Sequence, residues 1–147
     1  MTPILIKGQE RRWAVLRGLK IALIVYGAIG ILVGLALIIA PNQLSIMMGI
    51  GEIPDVCSPA MYTMAIVGIS FIAAGVFLIV AGRDPLRHIN WVKFAILWAI
   101  LAVVAGFYSI IQDYVDFSQI GMTIILDGVF AVAFLALYPY RLARSAE

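Results

Sequence analysis

Apolar positions in this chain fall into four long blocks separated by short polar stretches. The blocks run over about 19–40, 60–81, 91–111 and 120–138. A helix rises about 1.5 Å per residue, so roughly 20 apolar residues cross a ~30 Å hydrocarbon core. Each block has that length. Within hydrocarbon every backbone N–H and C=O needs an internal partner, which makes such segments helices. The pattern predicts an all-α integral membrane protein, a single domain over 1–147 built as an antiparallel four-helix bundle.

Local punctuation places the helix ends. Ser58-Pro59 and Asp84-Pro85 each read as an N-cap followed by proline at the first helical position. Ser118 is the expected cap of the fourth span, and Pro41 and Tyr138-Pro139 close the first and last. Ahead of the first span, residues 1–18 form a basic segment. It is expected either to lie on anionic lipid or to extend the first helix. The apolar run from Ile21 to Ala40 exceeds a signal-peptide core and reads as a retained spanning helix.

Composition agrees. Hydrophobic residues make up 64% of the 147 positions and charged ones 12%, about half the share of a soluble domain. The mean hydropathy is +1.08. The net charge of +2 matters less than where the charges sit. All 10 basic residues precede the first span, flank the loop between the second and third, or follow the fourth. They are Lys7, Arg11, Arg12, Arg17, Lys20, Arg83, Arg87, Lys93, Arg141 and Arg144. The other two loops, about 41–59 and 112–119, hold only acids: Glu52, Asp55, Asp113 and Asp116. The positive-inside rule puts both termini in the cytoplasm and predicts a multi-pass protein of the inner (plasma) membrane. Trp13, Trp91, Tyr138 and Tyr140 fall near the inner interface, and Tyr62, Tyr108, Tyr114 and Phe117 near the outer one, as amphipathic rings do.

Lipid is as apolar as leucine, so helices in it associate through close backbone approach and interhelical hydrogen bonds. Small residues recur at helical spacing: Gly27, Gly30 and Gly34 in the first span, Gly68, Ala74 and Gly75 in the second. Ala95, Ala99, Ala102 and Gly106 follow in the third, with Gly121, Gly128 and Ala131 in the fourth. The expected packing positions are Gly30, Gly34, Ala99, Ala102, Gly106 and Gly128. The first two spans also match at an offset of 41, pairing Gly27, Gly34, Ile38 and Ala40 with Gly68, Gly75, Ile79 and Ala81. Such a match reads either as a repeated helix unit or as the product of similar composition alone.

Chemistry is sparse. One cysteine, Cys57, excludes an internal disulfide, and one histidine, His88, excludes two axial histidines for a haem from one chain. Asp127 is the one formally charged residue well inside a span. Such a group costs roughly 2.5–3.5 kcal/mol on insertion scales unless it faces protein, water or a partner. Thr123, one turn earlier, shares its face. Asp127 is expected to be a proton, cation or ligand site, or to bond across helices to Tyr26, Ser70 or a backbone carbonyl. Glu52, Asp55, Asp113 and Asp116 form an outer acidic face, as the topology demands. They offer oxygens to a cationic partner or divalent ion, without EF-hand spacing. Neither a catalytic constellation nor a metal site is predicted, and no nucleic-acid partner.

Ala40-Pro41, Met48-Gly49-Ile50, the loop Glu52-Ile53-Pro54-Asp55, the glycine-bearing second span and Ala81-Gly82-Arg83-Asp84-Pro85 occur in an order that resembles the DoxX-like group. These are small four-span bacterial membrane proteins, and the resemblance covers about residues 20–110. It implies a four-helix membrane bundle. Some members are linked to oxidoreductase complexes as small subunits.

The leading expectation is a non-catalytic accessory subunit of a larger membrane complex, such as an electron-transfer assembly. The first alternative is a small oligomeric transporter or ion-coupled carrier using Asp127. The second is a DoxX-like redox subunit contacting quinone. Expected partners are membrane lipids and either other membrane subunits or further copies of the chain. No cofactor is predicted within one chain beyond lipid or quinone contact.

Overall fold

The computed structural model describes residues 3–47 and 58–138, all helical or in turns. The helices are α1 (Pro3–Ile39), α2 (Pro41–Met47), α3 (Ser58–Arg83), α4 (Ile89–Ile111) and α5 (Phe117–Leu137). Four stretches are long and apolar enough to cross a membrane: Trp13–Ile39, Met61–Arg83, Ile89–Ile111 and Phe117–Leu137.

One expected form holds, the helical extension of the first span, and several other boundaries differ from those expected. The basic N-terminal segment belongs to α1, one continuous helix of 37 residues, about 55 Å long at 1.5 Å per residue. The chain past Ala40 is helical again. Pro41 has no N–H to donate and fits the first position of α2, while Leu44 N–H still reaches the Ala40 carbonyl at 3.1 Å. Asp84-Pro85 opens a turn rather than α4. The N–H of Arg87 lies 3.4 Å from Asp84 Oδ1, and that of His88 bonds the Asp84 carbonyl at 3.2 Å. The N-cap of α5 is Asp116, not Ser118. Its N–H donates to Gln119 Oε1 at 2.8 Å, and its side chain accepts from the Gln119 N–H. This reciprocal box satisfies two of the amides that open a helix.

The turn between α4 and α5 is stopped by a left-handed residue. Asp113 has φ 54°, the one described non-glycine residue with positive φ. Its N–H bonds the Ile110 carbonyl at 3.1 Å, and that of Tyr114 bonds Ser109 at 3.0 Å. This is the double bond pattern that ends a helix in a Schellman motif, where glycine is the usual residue.

The α1–α3 contact is made backbone to backbone. A Cβ on Gly34 would lie 2.5 Å from the Gly68 carbonyl oxygen, and one on Gly75 would lie 2.5 Å from that of Gly27. The reverse approaches, Gly27 to Gly75 and Gly68 to Gly34, are both 2.7 Å. Numbers rise along one helix as they fall along the other, so the two chain directions oppose. The flanking contacts obey the same exchange: Ile31 meets Gly75 and Ile72 meets Gly34; Ile38 meets Gly68 and Ile79 meets Gly27. Adding or subtracting 41 turns every contact into its mate. The repeat of the sequence is thus a local two-fold relation in space. It places each glycine where the partner backbone leaves no room for a side chain.

The second close pair is α4 with α5. A Cβ on Gly106 would meet Ile124 at 2.5 Å. The two pairs join through aromatic contacts. Phe77 stacks on Trp91 at 4.2 Å and Phe71 meets Trp98 edge-on at 5.7 Å, linking α3 to α4. Tyr26 packs on Phe130 at 4.6 Å and Phe134 at 5.5 Å, linking α1 to α5.

Burial is uneven along the helices. The main cluster of buried apolar residues is Leu19, Leu23, Tyr26, Leu78, Ala81, Val92, Ala95, Ala99, Ala131 and Phe134. All lie in the half shared by Lys20, Arg83 and the α3–α4 turn, the basic end. Towards the far end, where α4 turns into α5, only Ile124 joins them among described apolar side chains apart from glycines.

Candidate functional site

On α5 the buried residues are Gly121, Ile124, Asp127, Ala131 and Phe134. That spacing is one face of a helix turned inward. Asp127 is on this face, so helical periodicity carries its carboxylate into the protein instead of into lipid. On α1, Leu19, Leu23 and Tyr26 do the same. The faces meet where the tight half of the structure ends. There the Tyr26 hydroxyl donates to Asp127 Oδ1 at 2.7 Å. Both residues are nearly buried, 8% and 9% exposed, so the bond sits in a medium of low dielectric. A hydrogen bond there is stronger than in water. Phe130 and Phe134 pack on the Tyr26 ring and fix its direction.

Directly beyond this pair, the two helix pairs part. The gap is a cavity of about 390 Å³ that reaches from Tyr26 and Asp127, past Gly30, Phe71 and Trp98, to Leu44 of α2. Between Tyr26 and Leu37, both on its wall, α1 rises about 16 Å. Small residues create the room: Gly30, Ala74, Gly75 and Ala102 face it where larger side chains would fill it. Its polar groups gather at one end, Asp127 with Tyr26 and Thr123. The volume and the mix of apolar wall and few polar groups are those of a small-molecule site.

The expected site residues divide as follows. Asp127 and Thr123 line the cavity together. The sequence offered Tyr26, Ser70 or a backbone carbonyl as partner, and the geometry gives Tyr26, while Ser70 bonds the Ile66 carbonyl of its own helix. Gly34 sits at the α1–α3 crossing, but Gly30 has its nearest neighbour at 3.6 Å and lines the cavity. Ala99 is buried in the tight half, Ala102 lines the cavity and Gly106 abuts Ile124. A Cβ on Gly128 would come no nearer than 4.0 Å to Val103. Asp113 and Asp116 serve the α4–α5 turn described above. Glu52, Asp55, Cys57, Tyr140, Arg141 and Arg144 lie outside the described residues. Among the described residues, no three His, Cys, Asp or Glu side chains gather as metal ligands.

The cavity is the feature that sequence reading did not anticipate; a bundle of four apolar helices suggests a filled interior. The small residues that line it do not by themselves announce it. A stripe of them is the same in sequence whether a partner backbone or an empty space lies opposite.

The fold defines a class, the polytopic α-helical membrane protein. No protein-family model, curated protein or solved structure matches the chain.

Proposed function

We propose that the protein is a non-catalytic subunit of a bacterial inner-membrane assembly that holds a small apolar ring compound with a hydrogen-bonding head, of the quinone class. The supporting observation is the cavity of about 390 Å³ with Tyr26, Asp127 and Thr123 at one end. In this reading the carbonyl head accepts from the Thr123 hydroxyl, while Tyr26, whose one proton goes to Asp127, holds that side chain at the head end. The ring lies beside Trp98 and Phe71, and the apolar tail follows α1 towards Leu44. The DoxX-like resemblance, with its link to small redox-complex subunits, points the same way. The proposal includes the topology drawn from the basic residues: an antiparallel bundle with both termini in the cytoplasm. Impermeant maleimide should then label Cys57 from outside intact cells, and labelling only from the cytoplasm would overturn it.

The deciding experiment is purification in mild detergent, native mass spectrometry, and titration of Trp98 fluorescence with a short-chain quinone in a variant keeping only that tryptophan. Saturable quenching, with affinity reduced about tenfold in Thr123→Val, is expected; that is the size of one hydrogen bond. A wild-type protein that carries no quinone and shows no saturable quenching would sink the reading.

A second reading, an ion-coupled carrier working as an oligomer, draws support from the two-fold relation of α1 and α3. Inverted repeats with a midplane site are common in carriers. A pure homo-oligomer whose proton-dependent ligand binding disappears in Asp127→Asn would favour it.

A further inference from the structure

A second pocket, independent of the first, lies at the basic end. It has a volume of about 330 Å³ and is lined by Trp13, Leu16, Arg17 and Lys20 of α1 and by Asp84, Pro85 and Leu86 of the α3–α4 turn. Helical spacing explains the α1 half: Trp13, Leu16, Arg17 and Lys20 are three or four apart and share one face. The turn is pinned opposite them. Pro85 is fully buried, and a Cβ on Gly82 would meet the Lys20 carbonyl oxygen at 3.2 Å, so α3 reaches α1 closely just before the turn begins.

The lining joins two chemistries. Leu16, Pro85 and Leu86 offer an apolar surface, and Trp13, 59% exposed, supplies an amphipathic ring. Arg17 and Lys20 bring two cations, both exposed. The one acid, Asp84, lies within reach of the Arg87 N–H, and Arg83 and Arg87 flank it along the chain. The pocket therefore keeps a positive balance. Its depth is set by sequence: Lys20 is the last charge before the apolar run that starts at Ile21. That is the level at which lipid phosphates sit and where long cationic side chains reach up to meet them.

We propose that this pocket binds the phosphate of an anionic glycerophospholipid in the leaflet at the basic end. The guanidinium of Arg17 and the ammonium of Lys20 take the phosphate oxygens. The glycerol and first acyl carbons rest on Leu16, Pro85 and Leu86, with Trp13 at the rim. A free phosphate shares the charge but has nothing to place on the apolar floor.

The test uses the full chain in phosphatidylcholine vesicles with and without phosphatidylglycerol, reading retained lipid by native mass spectrometry and affinity by lipid titration. Each cation near the surface is worth about fivefold, so Arg17→Gln with Lys20→Gln should weaken phosphatidylglycerol binding about thirtyfold. Arg17→Lys should retain it. Arg83→Gln with Arg87→Gln removes equal charge beside the pocket and should cost less than about threefold, because a charge that does not touch the phosphate acts on it through water at high dielectric. Equal losses in the two double variants would mean diffuse attraction and overturn the site. Inorganic phosphate binding in phosphatidylcholine vesicles as tightly as the lipid would overturn the lipid assignment.

Discussion

The phenol of Tyr26 and the carboxylate of Asp127, 101 positions apart in the chain, are joined by one hydrogen bond of 2.7 Å. The bond ties α1 to α5 at the level where the tight half gives way to the cavity. Interhelical bonds in membranes average about 0.6 kcal/mol and reach about 1.7. We expect the upper part of that range, since the carboxylate is ionisable and nearly buried. Tyr26→Phe, Asp127→Leu and the double variant form a cycle whose coupling should be about 1–1.7 kcal/mol, measured by reversible unfolding in bicelles. Coupling within error of zero would show that the bond contributes nothing to the fold.

The two-fold contact of α1 with α3 makes a sharper prediction. Gly34 and Gly75 each have 2.5 Å for a Cβ, and Gly27 and Gly68 each have 2.7 Å, all against partner carbonyls. Alanine at any of the four forces backbones apart, and overpacking of this kind costs about 1–3 kcal/mol. The costs should match within pairs related by 41, Gly34→Ala with Gly75→Ala and Gly27→Ala with Gly68→Ala. Gly30→Ala, with 3.6 Å to its nearest neighbour, should change stability by less than about 0.5 kcal/mol. Thermal unfolding of the five single variants decides this. A Gly30 variant as damaged as Gly34 would restore a Gly30–Gly34 reading of the helix interface.

Much of this was legible in the sequence, for identifiable reasons. Hydrocarbon imposes one length and one kind of backbone, so the four blocks could hardly be anything but helices. The offset of 41 was visible because the contact needs glycine at both ends of each approach. Asp127 stood out because a charge inside a span has few places to go. The helix ends were less legible. Asp116 and Ser118 are both good caps, and only tertiary placement selects between them. The cavity was hidden because what defines it is the absence of a side chain opposite Gly30, Ala74 and Ala102, and absence across helices has no sequence signal.

Asp113 shows a residue with a conformational duty besides its charge. It closes α4 at φ 54°, a region that disfavours a Cβ by about 1–2 kcal/mol, less for Asp than for most residues. Asp113→Gly removes that strain and should be neutral or stabilising by up to about 1 kcal/mol. Asp113→Val puts a β-branched residue in the same place and should cost about 1–2 kcal/mol. Asp113→Asn should behave like the parent, because asparagine also tolerates the conformation. The midpoint of thermal unfolding separates the three. If Asn were as damaging as Val, the charge and not the backbone would be what the position requires.

Ala99 and Ala102 are three residues apart on α4, yet they sit on opposite sides of the boundary between the tight half and the cavity. Ala99 is fully buried among Leu78, Ala95 and their neighbours, and Ala102 lines the open volume. Leucine at Ala99 has no space and should cost about 1–3 kcal/mol through displaced backbone. Leucine at Ala102 extends into about 390 Å³ of empty volume and should cost less than about 1 kcal/mol. It should also displace whatever occupies the cavity. Stability and ligand retention are thus predicted to separate: Ala99→Leu loses stability, whereas Ala102→Leu keeps the fold and loses the ligand. Unfolding in bicelles reads the first and mass spectrometry of the purified protein reads the second. An Ala102→Leu protein that is stable and still retains the wild-type ligand would place binding elsewhere than in the cavity beside Tyr26 and Asp127.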